Sequence, residues 1–275
     1  MSRHYTAFIS NVFGKFASKK FSPKIQSFIN KGYVRLVGLD MTAFETPQSY
    51  PTLNALFTRA FREEPVFDID SNAVLSPCDA LVTDAGEIKD GQAYQIKGME
   101  YDTAALLGAK YAKDIEILEG GEYINLYLSP KDYHRYHMPI DICVLSVTHI
   151  PGKLYPVNMP LLKNKLNLFI ENERVVLECM DRSGKKIYII LVGALNVGKM
   201  VVTFEENIKT NTGIRQRQYY KYDKPIRMDR AELFGWFEMG STVLILSQKD
   251  GIEFDVEIGK KVSFGDVIGV NKAKQ

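Results

Sequence analysis

With 275 residues, 45% of them hydrophobic, the chain is long enough to bury a real core and to fold by itself as one large domain or two small ones. Three cysteines, Cys78, Cys143 and Cys179, form an odd number without C-x-x-C spacing, which excludes a disulfide framework or a Cys-rich zinc site and points to a reducing compartment. The net charge of +2 is unevenly spread: residues 1–39 hold seven cations (Arg3, Lys15, Lys19, Lys20, Lys24, Lys31, Arg35) and no carboxylate, so the remainder is acidic.

In that cationic arm Phe8, Ile9, Val12, Phe13 and Phe16 fall on one side of a helix, with Ser10, Asn11, Gly14 and Ser18 opposite. Ser22-Pro23 then reads as a cap and first-turn proline opening a second short helix through Ile25, Phe28 and Ile29, stopped by Gly32. Such an arm suits an anionic membrane surface; a helix packed on its own domain with solvated lysines is the alternative. No run of 18 apolar residues is present, and Asn11, Gly14 and Lys15 interrupt any signal-peptide core. No basic, aromatic-interleaved patch continues into the body, so a nucleic-acid partner is not expected. Leu53, Leu56, Phe57, Ala60 and Phe61 predict a third helix over residues 52–64.

Beyond it the period changes. Segments rich in β-branched and aromatic residues predict strands at 123–128, 143–150, 174–180, 186–192, 200–204, 242–246 and 252–256, separated by turn signals at 181–184 and 249–251. Residues 45–275 contain no low-complexity linker and no fixed repeat. The expected fold is therefore α+β and β-rich, with amphipathic membrane-associating helices in residues 1–44 and a catalytic domain in residues 45–275. The tail at 257–269 resembles biotinyl- and lipoyl-type carrier domains, which implies a β-sandwich or barrel-sandwich hybrid for that domain. A carrier needs a lysine at a hairpin tip, and FEMGST at 237–242 has none.

Two histidines stand together in DYHRYHMP at 132–139. If Ser129-Pro130 starts a helical turn, His134 and His137 project from one face. One could equally fill a pocket while the other is solvated. Zinc is not favoured and no metal is expected, because a third and fourth ligand and an H-E-x-x-H pattern are missing. Asp79 follows the Ser76-Pro77 turn and precedes a strand; with His137 and Ser241 it supplies the acid, base and hydroxyl of a triad. That suggests a serine hydrolase, yet Gly240-Ser241-Thr242 lacks the G-x-S-x-G elbow.

DYHRYHMP, SPCD at 76–79, IKGMEYDTAALLG at 96–108, VGALNVG at 192–198 and FEMGSTV at 237–243 together resemble the phosphatidylserine decarboxylases, in similar order across roughly residues 45–270. Cys78 and Ala80, flanking Asp79, are small departures. The resemblance implies a chain that cuts itself between Gly240 and Ser241 into residues 1–240 and 241–275, which stay together as a heterodimer, further dimerisation being open. Ser241 then becomes a covalent pyruvoyl cofactor. By resemblance His137 is the base that activates Ser241, Asp79 orients His137 and stabilises its imidazolium, and His134 acts in decarboxylation by protonating the carbanion. The implied reaction converts phosphatidylserine in an anionic membrane to phosphatidylethanolamine and carbon dioxide, on a protein peripheral to the cytoplasmic face of the cell membrane. Lys97, Lys131 and Arg135 are candidate anion partners, a solvated role being the simpler account of each. A pyruvoyl decarboxylase of a soluble amino acid, or a non-catalytic carrier domain, are the alternatives; the first leaves the arm unexplained and the second leaves Asp79, His134, His137 and Gly240-Ser241 unexplained.

Overall fold

The computed structural model describes residues 14–67, 70–96, 98–195, 199–213, 215–238 and 242–272. An eight-stranded antiparallel sheet runs in the order Gln218–Met228, Ile142–Ile150, Arg174–Met180, Lys186–Val192, Thr242–Ser247, Glu122–Tyr127, Ala80–Glu87 and Lys261–Val262. Its middle strands read as continuous apolar runs because both faces are covered. Val175, Leu177, Ile187, Ile189, Leu191, Val243 and Ile245 enter one core. Their neighbours Val176, Tyr188, Ile190, Val192, Leu244 and Leu246 enter the other, as the two-residue period of a strand requires. Each fully buried aliphatic side chain contributes roughly 1.5–3 kcal/mol, so these strands anchor the fold.

Two three-stranded sheets cover the first core. Ala73–Leu75, Val267–Asn271 and Ile252–Phe254 supply Val74, Ile268 and Ile252; Lys199–Val202, Leu233–Glu238 and Arg135–His137 supply Met200, Val202, Phe234, Phe237 and Tyr136. The second core is closed by short helices, Thr103–Leu107, Ile115–Leu118, Met159–Asn164 and Leu168–Glu171, and by the ribbon of Gln92–Ile96 with Met99–Asp102. The chain is thus α+β and sheet-rich, with sheet on sheet on one side and helix on sheet on the other. The sheets stack without closing a barrel.

The front of the chain departs from the periodicity reading in two places. The helix opened by Pro23 is not stopped by Gly32 but spans Pro23–Val37 and ends at Gly38, whose φ of 69° is the left-handed cap. A mid-helix glycine costs about 1 kcal/mol, and here side-chain bonds offset it: Asn30 Nδ2 donates to the carbonyls of Pro47 (2.8 Å) and Tyr50 (3.0 Å), and Gln26 Nε2 to Asn30 Oδ1 (2.8 Å). The third helix is only Leu53–Phe57. Thr52 caps it by accepting from Ala55 N, Thr58 Oγ1 donates to the Asn54 carbonyl, and Phe61 has already left to bridge Phe44. Of the first amphipathic stretch, Phe8, Ile9, Val12 and Phe13 lie outside the described residues; residues 14–18 are helical, with Ala17 buried.

Candidate active site

Three segments meet where the small sheets join the large one. The loop before Ala80 is clasped by the turn at 263–266: Ser76 N donates to Asp266 O (2.8 Å) and Gly265 N to Ser76 O (3.1 Å). Gly265 has a φ of 89°, which only glycine adopts without strain. His137 N donates to Pro77 O (2.9 Å), which brings in the histidine strand. The carboxylate of Asp79 closes the junction, Oδ1 accepting from Phe264 N (2.9 Å) and Oδ2 from Tyr133 N (3.2 Å). Burial pushes its pKa up, and these two N–H groups partly counter the shift.

The histidines do not share a helical face. Asp132 N donates to Ser129 O and Ser129 N to Asp132 Oδ2, which completes a turn, after which the chain runs extended into the strand Arg135–His137. Pairing with Leu233–Glu238 makes extension, not a helical turn, the better use of these backbone groups. His134 lies just before that strand, fully buried under the ring of Phe57 at 4.0 Å. Its Nδ1–H donates to Asp132 O (2.8 Å), while Nε2 has no hydrogen-bond partner among the described residues. Burial, with repulsion from Arg59, takes the His134 pKa down to about 3. His137 ends the strand, its Nδ1–H donating to Ala231 O (2.8 Å) and its Nε2 accepting from Tyr133 Oη (3.0 Å), with Phe264 stacked on the ring at 3.9 Å. Burial, with Arg135 beside it, takes the His137 pKa down to about 4.

Both imidazoles are therefore neutral near pH 7, and in each the Nδ1 bond to a carbonyl leaves Nε2 as the basic nitrogen. The carbonyl that fixes His137 belongs to Ala231, held at a φ of 65°, a left-handed conformation that costs an alanine roughly 1–2 kcal/mol. Ala231 N–H donates to Met138 O (2.8 Å), which fastens the strained residue. The expected contact of Asp79 with His137 is not made: Ala231 and Tyr133 take both ring nitrogens, and Asp79 reaches His137 at second hand, accepting the N–H of Tyr133, which bonds the ring, and of Phe264, which stacks on it. Ala231 and Tyr133, not Asp79, orient this imidazole.

Gly240 and Ser241 lie outside the described residues, as does Lys97. Their neighbours are placed. Phe237 N donates to His134 O (2.9 Å), and Thr242 pairs with Tyr127 on one side and Val192 on the other. The segment carrying Gly240-Ser241 thus leaves a strand bound to both histidines and enters the middle of the large sheet. A cavity of about 350 Å³ opens beside His137, walled by Phe61, Tyr133, Arg135, Glu232 and Phe264. Among the described residues, none of those lining it is a lysine or a cysteine. Among the described residues no group of three His, Cys, Asp or Glu is placed to hold a metal ion.

Arg135 lines the cavity with its Nε donating to Thr58 O (3.0 Å) and its guanidinium over Trp236. Lys131 contributes its carbonyl rather than its amine, to Arg59. Sequence reading passed over Tyr133, Ala231, Phe264 and Arg59. Tyr133 stood inside the motif and was the one that could have been found; the other three act through a carbonyl, a ring face and a burial that no local pattern announces.

Two neutral, carbonyl-tethered imidazoles beside a buried carboxylate and a cavity lined by aromatic and charged side chains define an acid–base enzyme centre. Residues 53–270 match the sequence profile of the phosphatidylserine decarboxylase family, and the chain belongs to that family. It is 44% identical over 262 residues to a protein of Helicobacter pylori strain J99, covering 95% of this chain and 96% of that one. A protein of Campylobacter jejuni is 39% identical over 94% of this chain and 97% of its own, and one of Shewanella loihica 35% identical over 89% and 87%. All three are named phosphatidylserine decarboxylase proenzyme. The chain is accordingly a decarboxylase of the proenzyme type.

Proposed function

We propose that the chain cuts itself between Gly240 and Ser241 and then decarboxylates phosphatidylserine to phosphatidylethanolamine. The observation that carries this reading is the tie between the histidines and the strand leading to Gly240: Phe237 N to His134 O, and Leu233 paired with His137. The relatives' shared name of proenzyme supports processing. In the cut, neutral His137 accepts the Ser241 hydroxyl proton at Nε2, exchanging its bond from Tyr133, as the Ser241 oxygen attacks the Gly240 carbonyl. Tyr133 and Ala231 hold the ring in the tautomer that keeps Nε2 basic. The pyruvoyl group formed from Ser241 supplies an electrophilic ketone and an electron sink. His134, fully buried and with Nε2 unpartnered among the described residues, is the group that moves a proton during decarboxylation. Phe57 packs on the ring of His134 and Phe264 stacks on that of His137, which holds the two imidazoles in place.

The arm belongs to the same reading. On Pro23–Val37 the polar residues Gln26 and Asn30 are buried, while Ile25, Phe28 and Leu36 are 53%, 80% and 84% exposed on the opposite side. Lys24, Lys31 and Arg35 flank that exposed stripe. This pattern fits an anionic bilayer surface, with the protein peripheral to the cytoplasmic face of the cell membrane and its two chains held as a heterodimer. No described helix is long and apolar enough to cross a membrane. Intact mass tests the central claim. Active enzyme should consist of two chains, the smaller taking up one carbonyl reagent, and Ser241→Ala should remain one inactive chain. Active protein that stays a single chain with a free serine refutes it.

A further inference from the structure

Arg59 sits in a place that stability alone does not explain. Its side chain is 3% exposed, and Nη2 donates to the carbonyls of Lys131 (3.0 Å) and Asp132 (3.3 Å). Its Nε and Nη1 are buried without a hydrogen-bond partner among the described residues. A buried guanidinium is ordinarily paired with a carboxylate, and leaving its donors unfilled is costly. The charged and titratable groups that face it are Asp79, Asp132, Tyr33 and Tyr50, together with Tyr133, His134 and the exposed Asp40, whose Oδ1 accepts from Thr42 N. Asp79 has both oxygens on Tyr133 N and Phe264 N, and Asp132 directs Oδ2 to Ser129 N, so neither completes Arg59. Arg135, by contrast, is partly exposed and can hydrate its free donors.

The position points to a ligand. Arg59 bonds the carbonyl of Asp132 that also receives His134 Nδ1–H, so guanidinium and imidazole share one anchor. The ring of Phe44 lies 4.5 Å from its guanidinium and is stacked at 4.9 Å on Phe61, which walls the cavity. On the other side stands the arm, whose Tyr33 Oη donates to Pro130 O in the same turn. Arg59 therefore lies between the inward face of the arm's helix and the histidine that the proposed decarboxylation uses. We propose that Arg59 is the receptor for the phosphodiester oxyanion of the phospholipid headgroup, reached when the ring of Phe44 turns aside. This assignment rests on the decarboxylase reading above. The phosphodiester is favoured over the serine carboxylate on two grounds. It is the headgroup anion nearer the acyl chains and so nearer the arm. An arginine holding the carboxylate would also stabilise the ion that must be lost as carbon dioxide.

The filled receptor also bears on His134. Arg59 is one of the forces that keep its imidazole neutral, and an anion against the guanidinium offsets that repulsion. A bound headgroup thereby makes His134 a readier proton carrier than it is in the free enzyme.

The test uses full-length enzyme with dihexanoyl phosphatidylserine as substrate and two amine-free inhibitors: dihexanoyl phosphatidylglycerol, which keeps the phosphodiester, and N-acetylserine, which keeps the carboxylate. Arg59→Gln should still be cut and still take up a carbonyl reagent, while KM rises about 10- to 100-fold, the range of a hydrogen bond to a charged group. Inhibition by phosphatidylglycerol should weaken by a similar factor, inhibition by N-acetylserine should be unchanged, and Arg59→Lys should recover part of the loss. A KM within about twofold of wild type overturns the proposal. Selective loss of N-acetylserine inhibition does so too, by assigning Arg59 to the carboxylate. If neither variant is cut, the wild-type enzyme decides: phosphatidylglycerol should protect Arg59 from phenylglyoxal, and equal labelling with and without it overturns the proposal. Absence of two chains and of carbonyl label in the wild type would instead sink the decarboxylase mechanism, a separate outcome.

Discussion

Lowering the pH during self-cleavage tests the basic form of His137. An ordinary histidine has a pKa near 6.5, and burial takes that of His137 down to about 4. At pH 5.5 an unperturbed imidazole would be about 9% neutral, whereas one with the depressed value is about 97% neutral. If neutral His137 accepts the Ser241 proton, the first-order cleavage rate should be flat from pH 8 to about 5.5 and halve only near pH 4; an unperturbed histidine would bring a loss of about tenfold by pH 5.5. Precursor made by cell-free translation and shifted into buffers of graded pH would be followed on gels, with circular dichroism at each pH to confirm folding. The same shift sets a stability limit. The folded-state pKa lies below the unfolded one, so the contribution of His137 is present above pH 6.5 and is lost as pH falls towards 4, about 3 kcal/mol in all. His134 adds a loss in the same direction down to pH 3, while the raised pKa of Asp79 acts in the opposite sense. A cleavage midpoint near 6.5 in a folded precursor would refute the reasoning from burial.

His137→Ala should stay uncut, whereas His134→Ala should be cut yet produce little phosphatidylethanolamine, as gels and product assays on the two variants will show. Tyr133→Phe removes the hydroxyl bonded to His137 Nε2 but keeps the N–H that serves Asp79. A lost hydrogen bond of about 0.5–1.5 kcal/mol predicts a melting temperature lowered by a few degrees, and because Nε2 gives up that bond when it accepts the Ser241 proton, cleavage should slow by no more than about 2-fold, read by calorimetry and gel time course. Replacing Ile25, Phe28 and Leu36 together with serine should reduce binding to anionic vesicles by about 100-fold or more without affecting cleavage, because these side chains are already outside the core. Equal flotation of the variant and the wild type would contradict the arm's role.

The strands legible in sequence were those whose side chains decide their own fate. Arg174–Met180 and Lys186–Val192 were predicted to the residue, since both faces are buried and the apolar run has no competing period. Gln218–Met228 was missed because it is an edge strand, mostly polar and interrupted by Pro225, and its pairing with Ile142–Ile150 slips between Lys221 and Ile226. Leu233–Glu238 was missed for its Gly235, which lets the Val201 carbonyl and the Tyr136 ring approach closer than a Cβ would allow. At the site, residue identities were legible and their connections were not. His134 and His137 stood out by type and spacing, but whether Asp79 reaches His137 depends on where Phe264, 185 residues away in sequence, brings its N–H. Arg59 falls inside the helix expected over residues 52–64, but that helix ends at Phe57 and the side chain is buried beyond it, which no local pattern announces.

The position of Thr242 bears on how such a protein can be made at all. Thr242–Ser247 is hydrogen-bonded along its length to both Glu122–Tyr127 and Lys186–Val192, deep within the large sheet. A backbone break just before it leaves a short fragment threaded between two strands of the longer one, with nothing in the fold obliging them to part. What changes is the reverse journey. The intact precursor assembles this sheet as a single molecule, but a cut protein, once unfolded, must find its missing central strand by collision, at a rate set by concentration. Cleavage would therefore make maturation a one-way step: the fold is written once by the continuous chain, and the mature enzyme persists on its barrier to unfolding rather than on its capacity to refold.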